Sequence, residues 1–214
     1  MKKYELTTET LQFAGRTLHR IKALRDFGSV KAGEFGGYIE NEKNLSQDDN
    51  AWIYGEAMAI GNARVFGNAK ILGNAHIFGN AKVFDSARVY DDARVYDKAR
   101  VYGNAEVCEN AKVCDDADVY GLTRIFGNAK IFGNATIKGN AKVHDDIDYI
   151  VFKNFWSSGR YFTWTRSNNK WSVGCFYGTG EELIKKAYAD SVKSGREYER
   201  VKRYVESILA DERK

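Results

Sequence analysis

Residues 81–104 read AKVFDSARVYDDARVYDKARVYGN, and the same hexad of an aliphatic residue, an aromatic residue, two turn residues, Ala and a basic residue continues in both directions. Every sixth position from Ile53 to Val143 is aliphatic, with only Ala59 reduced in size, which gives sixteen hexads in one register. The residue four positions later is almost always Ala, and Thr123 is one of two departures. A period this regular indicates a solenoid whose repeats stack on one another.

Each hexad contains the parts of a short strand and a corner. The aliphatic residue and the Ala must share the interior, while the Gly-Asn or Asp-rich pair between them suits left-handed backbone angles. Three such corners close a coil of 18 residues, so the pattern predicts a mainly β fold, a triangular parallel β-helix with strands about 4.8 Å apart. Pro is absent from all 214 residues, so every residue can donate an amide proton to a ladder.

The hexad motif resembles that of the left-handed β-helix of hexapeptide-repeat proteins, and the left hand follows from that resemblance. Residues 1–34 are predicted to form an N-terminal cap, with a strand over 15–24. Residues 35–148 are predicted to form the left-handed β-helix. Residues 149–214 lose the repeat and are predicted to form a small C-terminal α+β domain.

Local signals define the elements of this C-terminal domain. Two alternating segments, 161–166 and 171–176, flank the polar turn 167–170 and predict a β-hairpin. Thr179 precedes two Glu residues, a pattern typical of a helix N-terminus. The apolar spacing of 198–210 predicts a second helix.

Two stretches resemble a further group of proteins. Residues 15–55, GRTLHRIKALRDFGSVKAGEFGGYIENEKNLSQDDNAWIYG, are similar to β-helix proteins of phages, prophages and bacteria, the YdcK-like group among them. The tail, GRYFTW at 159–164 and WSVGCFYGTGEEL at 171–183, is similar to a C-terminal module of such phage proteins. The resemblance implies an accessory protein of a mobile element that engages a host protein, for instance as an inhibitor or sponge of a host defence component. It implies no substrate and no catalytic residue.

One outer face of the predicted solenoid carries a ladder of aromatic residues with basic neighbours. Three interpretations remain open: the ladder stabilises the β-helix itself, it is the interface of a homo-oligomer, or it binds a nucleotide or nucleic acid by stacking and charge. The ladder consists of Phe66, Phe84, Tyr102 and Tyr120, flanked by Arg64, Lys82 and Arg100.

The predicted C-terminal hairpin is the candidate partner-binding site. The chain carries a net charge of +4, and its basic excess lies in 149–214, which holds 13 basic and 8 acidic residues. A basic segment with aromatic residues suits an anionic ligand or an acidic partner surface. The candidate contacts are Arg160, Trp164, Arg166, Lys170 and Trp171. The alternative is that the two Trp residues only pack the core.

Acyl transfer is an alternative function because many hexapeptide-repeat proteins are acyltransferases. Resemblance to those enzymes implies a loop that interrupts the hexads and a general-base His, for which His76 is the candidate. No interruption occurs over 53–148, however, and His76 stands in a column of outward basic residues. We therefore predict a non-enzymatic binding module that forms a homo-oligomer and has no cofactor, with a self-associating structural protein as another alternative.

The cysteines and the hydropathy of the chain bear on metal sites, disulfides and cellular location. Cys108 and Cys114 hold outward positions on different faces, so they are poorly placed for a disulfide. With Cys175 the chain has three cysteines, and no His or Cys stands at metal-ligand spacing from them. No metal site or disulfide is therefore predicted. No apolar run is long enough to cross a membrane and no secretory segment is recognised, which favours a cytoplasmic protein that does not contact membranes.

Overall fold

The N-terminal part of the chain is a β-hairpin joined to a third strand. A computed structural model describes residues 2–211. In it β1 (Tyr4–Phe13) and β2 (Arg16–Ala23) pair antiparallel, and β2 pairs antiparallel with β3 (Phe35–Ile39). Ala14 and Gly15 form the hairpin turn with positive φ at both residues, the geometry that matches the twist of the flanking strands. The strand predicted over 15–24 corresponds to β2, whereas β1 was not predicted.

Sixteen two-residue strands follow within the described residues and build three parallel faces. Each strand pairs with the strand 18 residues later, so one coil adds one strand to every face. The first face comprises β4 (Trp52–Ile53), β7 (Lys70–Ile71), β10 (Arg88–Val89), β13 (Glu106–Val107), β16 (Arg124–Ile125) and β19 (Lys142–Val143). The second face continues from β3 through β5 (Met58–Ala59), β8 (His76–Ile77), β11 (Arg94–Val95), β14 (Lys112–Val113) and β17 (Lys130–Ile131). The third face comprises β6 (Arg64–Val65), β9 (Lys82–Val83), β12 (Arg100–Val101), β15 (Asp118–Val119) and β18 (Thr136–Ile137).

The interior of the solenoid holds the residues that the period selects. The aliphatic positions from Ile53 to Val143 are all 0–1% exposed, and so are the Ala residues between them. Thr123 takes an Ala position and is buried as well. Because two-residue strands bury little by themselves, the coils are stable only as a stack. The predicted triangular parallel β-helix is confirmed.

The corners explain why acidic residues recur in the hexads. Asp85, Glu109 and Asp115 adopt φ of 55–58°, a left-handed conformation that Asp and Asn tolerate better than most residues. Their carboxylates also accept a hydrogen bond from the backbone amide one coil further on. The oxygen–nitrogen distances are 3.2 Å from Asp85 to Gly103, 2.9 Å from Glu109 to Gly127 and 2.8 Å from Asp115 to Gly133.

The chain divides into two compact units between Asp146 and Ile147. The second unit begins with an antiparallel sheet in the order β20 (Tyr149–Lys153), β21 (Tyr161–Thr165), β22 (Lys170–Val173) and β23 (Phe176–Gly178). Two helices follow, α1 (Gly180–Asp190) and α2 (Val192–Asp211). Short 3₁₀ turns lie at Glu42–Asn44 and Asp146–Asp148. A small sheet with helices is therefore present, as the sequence predicts.

The two helices differ in how well the sequence predicts their start. Thr179 Oγ accepts a hydrogen bond from the Glu182 amide at 3.2 Å, and the Glu182 carboxylate accepts one from the Thr179 amide at 2.7 Å. This capping box fixes the start of α1. Helix α2 begins at Val192, six residues before the predicted start at 198. Its first turn has few apolar residues, and Gly195 lies so close to the Tyr188 ring that an added Cβ would be 2.3 Å away.

Candidate functional site

The aromatic ladder of the third face is a continuous stack. The ring centroids of Phe66, Phe84, Tyr102 and Tyr120 are 4.7–4.8 Å apart from one coil to the next, and the planes are within 12° of parallel. All four side chains are half-buried, and the Arg64 guanidinium lies 5.7 Å from the centroid of the Phe66 ring. These contacts are the ones by which like side chains stabilise a sheet.

Charges beside the ladder are partly neutralised. The Arg100 guanidinium hydrogen-bonds both oxygens of Asp118 at 2.5 Å and lies 5.8 Å from the centroid of the Tyr102 ring. Burial raises the pKa of Tyr102 to about 12. Lys82, the third basic residue of the set, is exposed. The geometry gives the ladder a packing role, and its role as an oligomer interface stays a prediction.

The candidate residues of the C-terminal hairpin are only partly brought together. Trp164 and Trp171 are cross-strand partners and are 1% and 2% exposed, in a core that includes Phe162, Leu183 and Val205. The Trp164 indole N–H donates to the side-chain oxygen of Asn169 at 2.9 Å. Both Trp side chains are therefore core residues with little surface left for a partner.

The basic residues of this hairpin have different environments. Arg166 is half-buried with its Nε 3.8 Å from a carboxylate oxygen of Asp148. It lines a groove of about 630 Å³ that the ion-paired Lys202 and Glu206 also line. Arg160 is exposed and Lys170 half-buried, and neither lines that groove. Since acids and bases alternate along it, the groove offers no clear preference for an anion.

A feature that the sequence analysis missed lies on the second face. Strand β2 pairs with β3 only as far as the pair His19–Ile39, so the end of the hairpin, residues 11–18, extends past the edge of β3. This hairpin tip packs onto the outside of the solenoid. Its side chains Leu11, Phe13 and Leu18 belong to one apolar cluster with Tyr38, Met58, Ile60 and Phe78.

The hairpin tip and the second face enclose a groove of about 610 Å³, called here the hairpin groove. Its lining includes Phe13, Ile60, His76, Phe78, Gly79 and Arg94. The solenoid therefore carries a concave site although no loop interrupts the hexads over 53–148. The signal that could have revealed the wall is the two-residue turn Ala14-Gly15 between Phe13 and the predicted strand β2.

His76 lies inside this groove and not on an open surface. Its ring meets the Phe13 ring edge-on with centroids 5.2 Å apart. Burial lowers the pKa of the imidazole, and the positive charge of Arg94 on the adjacent strand lowers it further. A neutral imidazole can accept a proton or a hydrogen bond. Among residues 2–211, however, no carboxylate is hydrogen-bonded to the ring to orient it.

Two arginines line the hairpin groove, but they differ in how they are held. The Arg16 guanidinium donates to both oxygens of Glu40 at 2.7 and 2.9 Å. The exposed Arg94 guanidinium makes no hydrogen bond or ion pair with any residue that the structure describes. Arg94 is therefore the groove cation that remains available to a ligand.

Cys108 and Cys114 hold the outward position after their strands on the first and second faces, as predicted, but they are only 0% and 2% exposed. Each stands in a column of larger side chains, and Cys108 Sγ accepts a hydrogen bond from the Arg124 guanidinium at 4.0 Å. All three cysteines are free thiols.

One group of potential metal ligands occurs in the part of the chain that is described. Ligand atoms of Asp97, Cys114 and Asp115 lie within 4.8 Å of one another. The Asp97 carboxylate accepts a hydrogen bond from the Asp115 amide at 3.5 Å, and the Cys114 side chain is buried. We assign no metal to these residues.

Comparisons with known proteins agree with the architecture. The family model of the YdcK β-solenoid repeat matches residues 87–103. A protein of Escherichia coli (strain K12) named "Uncharacterized acetyltransferase YdcK" is 38% identical over 64 residues, which are 26% of this chain and 20% of that protein. The chain therefore matches about a fifth of the length of this relative. In the described residues, neither helix is long and apolar enough to cross a membrane.

Proposed function

We propose that this protein is a non-enzymatic binding module that holds a small ligand in the hairpin groove. The observation that carries the proposal is the packing of the hairpin tip onto the second face, which creates a concave site beside His76. The volume of about 610 Å³ is within the range of small-molecule sites. An apolar lining with a few polar groups is also typical of such sites.

The scaffold under the groove is suited to binding. Strands β5, β8 and β11 form its floor and are hydrogen-bonded coil to coil, so the floor is fixed before a ligand arrives. The wall is the hairpin tip, which the solenoid holds through Phe13 and Leu18. A rigid floor with a packed wall lowers the entropic cost of binding.

The test is a ligand-observed NMR screen of a library of small molecules against the protein and two variants. Phe13→Ala removes the groove wall, whereas Phe132→Ala removes an exposed aromatic ring of the same face outside the groove. We expect hits that lose binding to Phe13→Ala and keep it with Phe132→Ala. Hits that bind both variants equally would contradict the proposal.

The proposal also covers the biological role of the protein and its partner. The sequence resemblance of 15–55 and 159–183 supports a phage or prophage accessory protein in the cytoplasm that engages a host protein or an anionic ligand, for instance as an inhibitor of a host defence component. The basic hairpin residues Arg160, Arg166 and Lys170 are the proposed contacts to a protein partner. Arg160→Glu, which changes an exposed side chain, should weaken capture of such a partner while leaving the fold intact, and unchanged capture would contradict this assignment.

Acetyl transfer is the second candidate function, and His76 is the observation that favours it. A neutral His in a partly enclosed groove is suited to remove a proton from an acceptor, and the E. coli relative is named an acetyltransferase. We rank this candidate second because no carboxylate among residues 2–211 orients the imidazole.

The discriminating experiment measures acetyl-CoA consumption with a mixture of amine and hydroxyl acceptors. His76→Ala is compared with His144→Ala, which removes an exposed His from the first face. Turnover that is lost only in His76→Ala would establish acetyl transfer. No turnover with the intact protein, together with hits in the NMR screen, would favour the binding module.

A further inference from the structure

The corners of this solenoid follow a rule that bears on the hairpin groove. Where the first corner residue is acidic, its carboxylate accepts the backbone amide of the equivalent residue in the next coil. Asp85, Glu109 and Asp115 do so at 2.8–3.2 Å. Glu40 performs the same task at the start of the stack, where its carboxylate accepts the Gly61 amide at 2.6 Å.

The rule fails at the corner that lines the hairpin groove. The residue one coil before Gly79 is Gly61, which has no side chain to supply a carboxylate. The Gly79 amide consequently makes no hydrogen bond to any residue that the structure describes. Other corners that follow a glycine are open in the same way, but this one lies beneath the hairpin tip, and both Gly61 and Gly79 line the groove.

The groups around the open amide suit an anion with an apolar body. The carboxamide of Asn80 accepts a hydrogen bond from Asn62 through its oxygen at 3.2 Å, which leaves its NH₂ group as a second donor in the groove. The Arg94 guanidinium adds a positive charge and forms no ion pair with any residue that the structure describes. Apolar surface from Phe13, Ile60 and Phe78 lies beside these donors.

We infer that the ligand of the hairpin groove is a small carboxylic acid with an aromatic or aliphatic body, whose carboxylate takes the place of the missing corner side chain at the Gly79 amide. This inference rests on the proposed binding function and specifies its ligand class. The ligand carboxylate accepts the Gly79 N–H as Glu40 accepts the Gly61 N–H, and Arg94 neutralises its charge. The body of the ligand packs under Phe13.

A substitution that supplies the missing carboxylate tests the inference. Gly61→Asp fits, because an added Cβ is 3.5 Å from its closest neighbour, the Gly79 carbonyl oxygen, and because Asp already occupies other corners at φ of 55–58°, near the 69° of Gly61. Acidic corners in consecutive coils occur as Asp91 and Glu109. Gly55→Asp is the matched control, since it places the same side chain at an equivalent corner outside the groove.

The probes are 3-phenylpropionate and its uncharged analogue 3-phenylpropionamide, titrated by NMR. We expect the intact protein to bind the carboxylate at least tenfold more tightly than the amide. Gly61→Asp should lower affinity for the carboxylate at least tenfold and affinity for the amide less than twofold, while Gly55→Asp changes neither. Arg94→Gln, a surface substitution, provides a second variant with the same expected selectivity in case Gly61→Asp does not fold.

The outcomes separate this inference from the proposed function. Equal affinity for both probes, with loss of both in Phe13→Ala, would overturn the carboxylate assignment and leave the binding groove in place. Carboxylate binding that Gly61→Asp and Arg94→Gln leave unchanged would also overturn the assignment. Absence of binding for both probes, or binding that persists in Phe13→Ala, would contradict the groove itself.

Discussion

An acidic residue at the first corner position, such as Asp115, meets two requirements of the solenoid at one position. It adopts a positive φ, and its carboxylate satisfies an amide of the next coil that the two-residue strands leave unpaired. Asp115 shows both, with φ of 57° and a hydrogen bond of 2.8 Å to Gly133. The sequence predicts the corner conformation from residue type, but the hydrogen bond could not be predicted because it depends on the separation of two coils.

Asp115→Ala is expected to lower the free energy of unfolding by about 2 kcal/mol, from a lost hydrogen bond of about 1 kcal/mol and a left-handed conformation that costs Ala about 1 kcal/mol. Asp115→Gly loses only the hydrogen bond and should be milder. Urea unfolding measures both, with Asp116→Ala, whose exposed carboxylate caps no amide, as the control. Equal effects of Ala and Gly would contradict the conformational part of this account.

Tyr102 in the ladder makes stability depend on alkaline pH. An unfolded Tyr loses its proton near pH 10, whereas burial raises the pKa of Tyr102 to about 12. The folded chain therefore binds more protons than the unfolded chain between pH 10 and 12, and the free energy of unfolding falls over that window.

Urea midpoints from pH 9 to 12 should fall less steeply for Tyr102→Phe than for the intact protein. Identical slopes would show that Tyr102 is not buried as described. Lys3, whose pKa burial lowers to about 8, acts in the opposite direction but is common to both proteins.

At the scale of elements, the sequence predicts repeats well and irregular additions poorly. The hexads carry the same signal sixteen times, so no single position decides their assignment. Strand β1 carries one weak signal, because a bulge between Leu6 and Thr10 breaks its alternation. The hairpin groove depends on β1 and was therefore missed, although His76 on its floor was singled out.

The C-terminal hairpin allows packing and partner binding to be distinguished. Trp164→Ala removes a ring that is 1% exposed and should lower the opening free energy of the β21 and β22 amides by about 3–5 kcal/mol. Hydrogen exchange read by mass spectrometry measures that change. Arg160→Glu alters an exposed side chain and should change protection by less than about 0.5 kcal/mol. If Trp164→Ala changes the opening free energy of these amides only slightly, Trp164 is not a core residue and remains a candidate for partner binding.

At the scale of the whole molecule, the period predicts the architecture because burial, corner chemistry and coil length all agree with it. The period does not predict the oligomeric state, since the rings of the third face are stacked within one chain and half-buried.

The predicted homo-oligomer is tested by light scattering of the double variant Phe84→Lys, Tyr102→Lys. If the ladder is the interface, the double variant should be a folded monomer, while Phe132→Lys on the second face keeps the assembly. An oligomer unchanged by the double variant would exclude the third face as the interface.

The central claim is that the hairpin tip and the second face form a ligand site around the Gly79 amide. The most direct measurement is the ¹H–¹⁵N spectrum of the labelled protein during titration with 3-phenylpropionate. The account predicts a saturable downfield shift of the Gly79 amide proton, as an amide shows on donating to a carboxylate, with smaller shifts for residues of the hairpin tip. The Gly73 amide, at an equivalent open corner of the first face, should stay unchanged. Equal shifts at Gly73 and Gly79, or none at Gly79, would contradict the account.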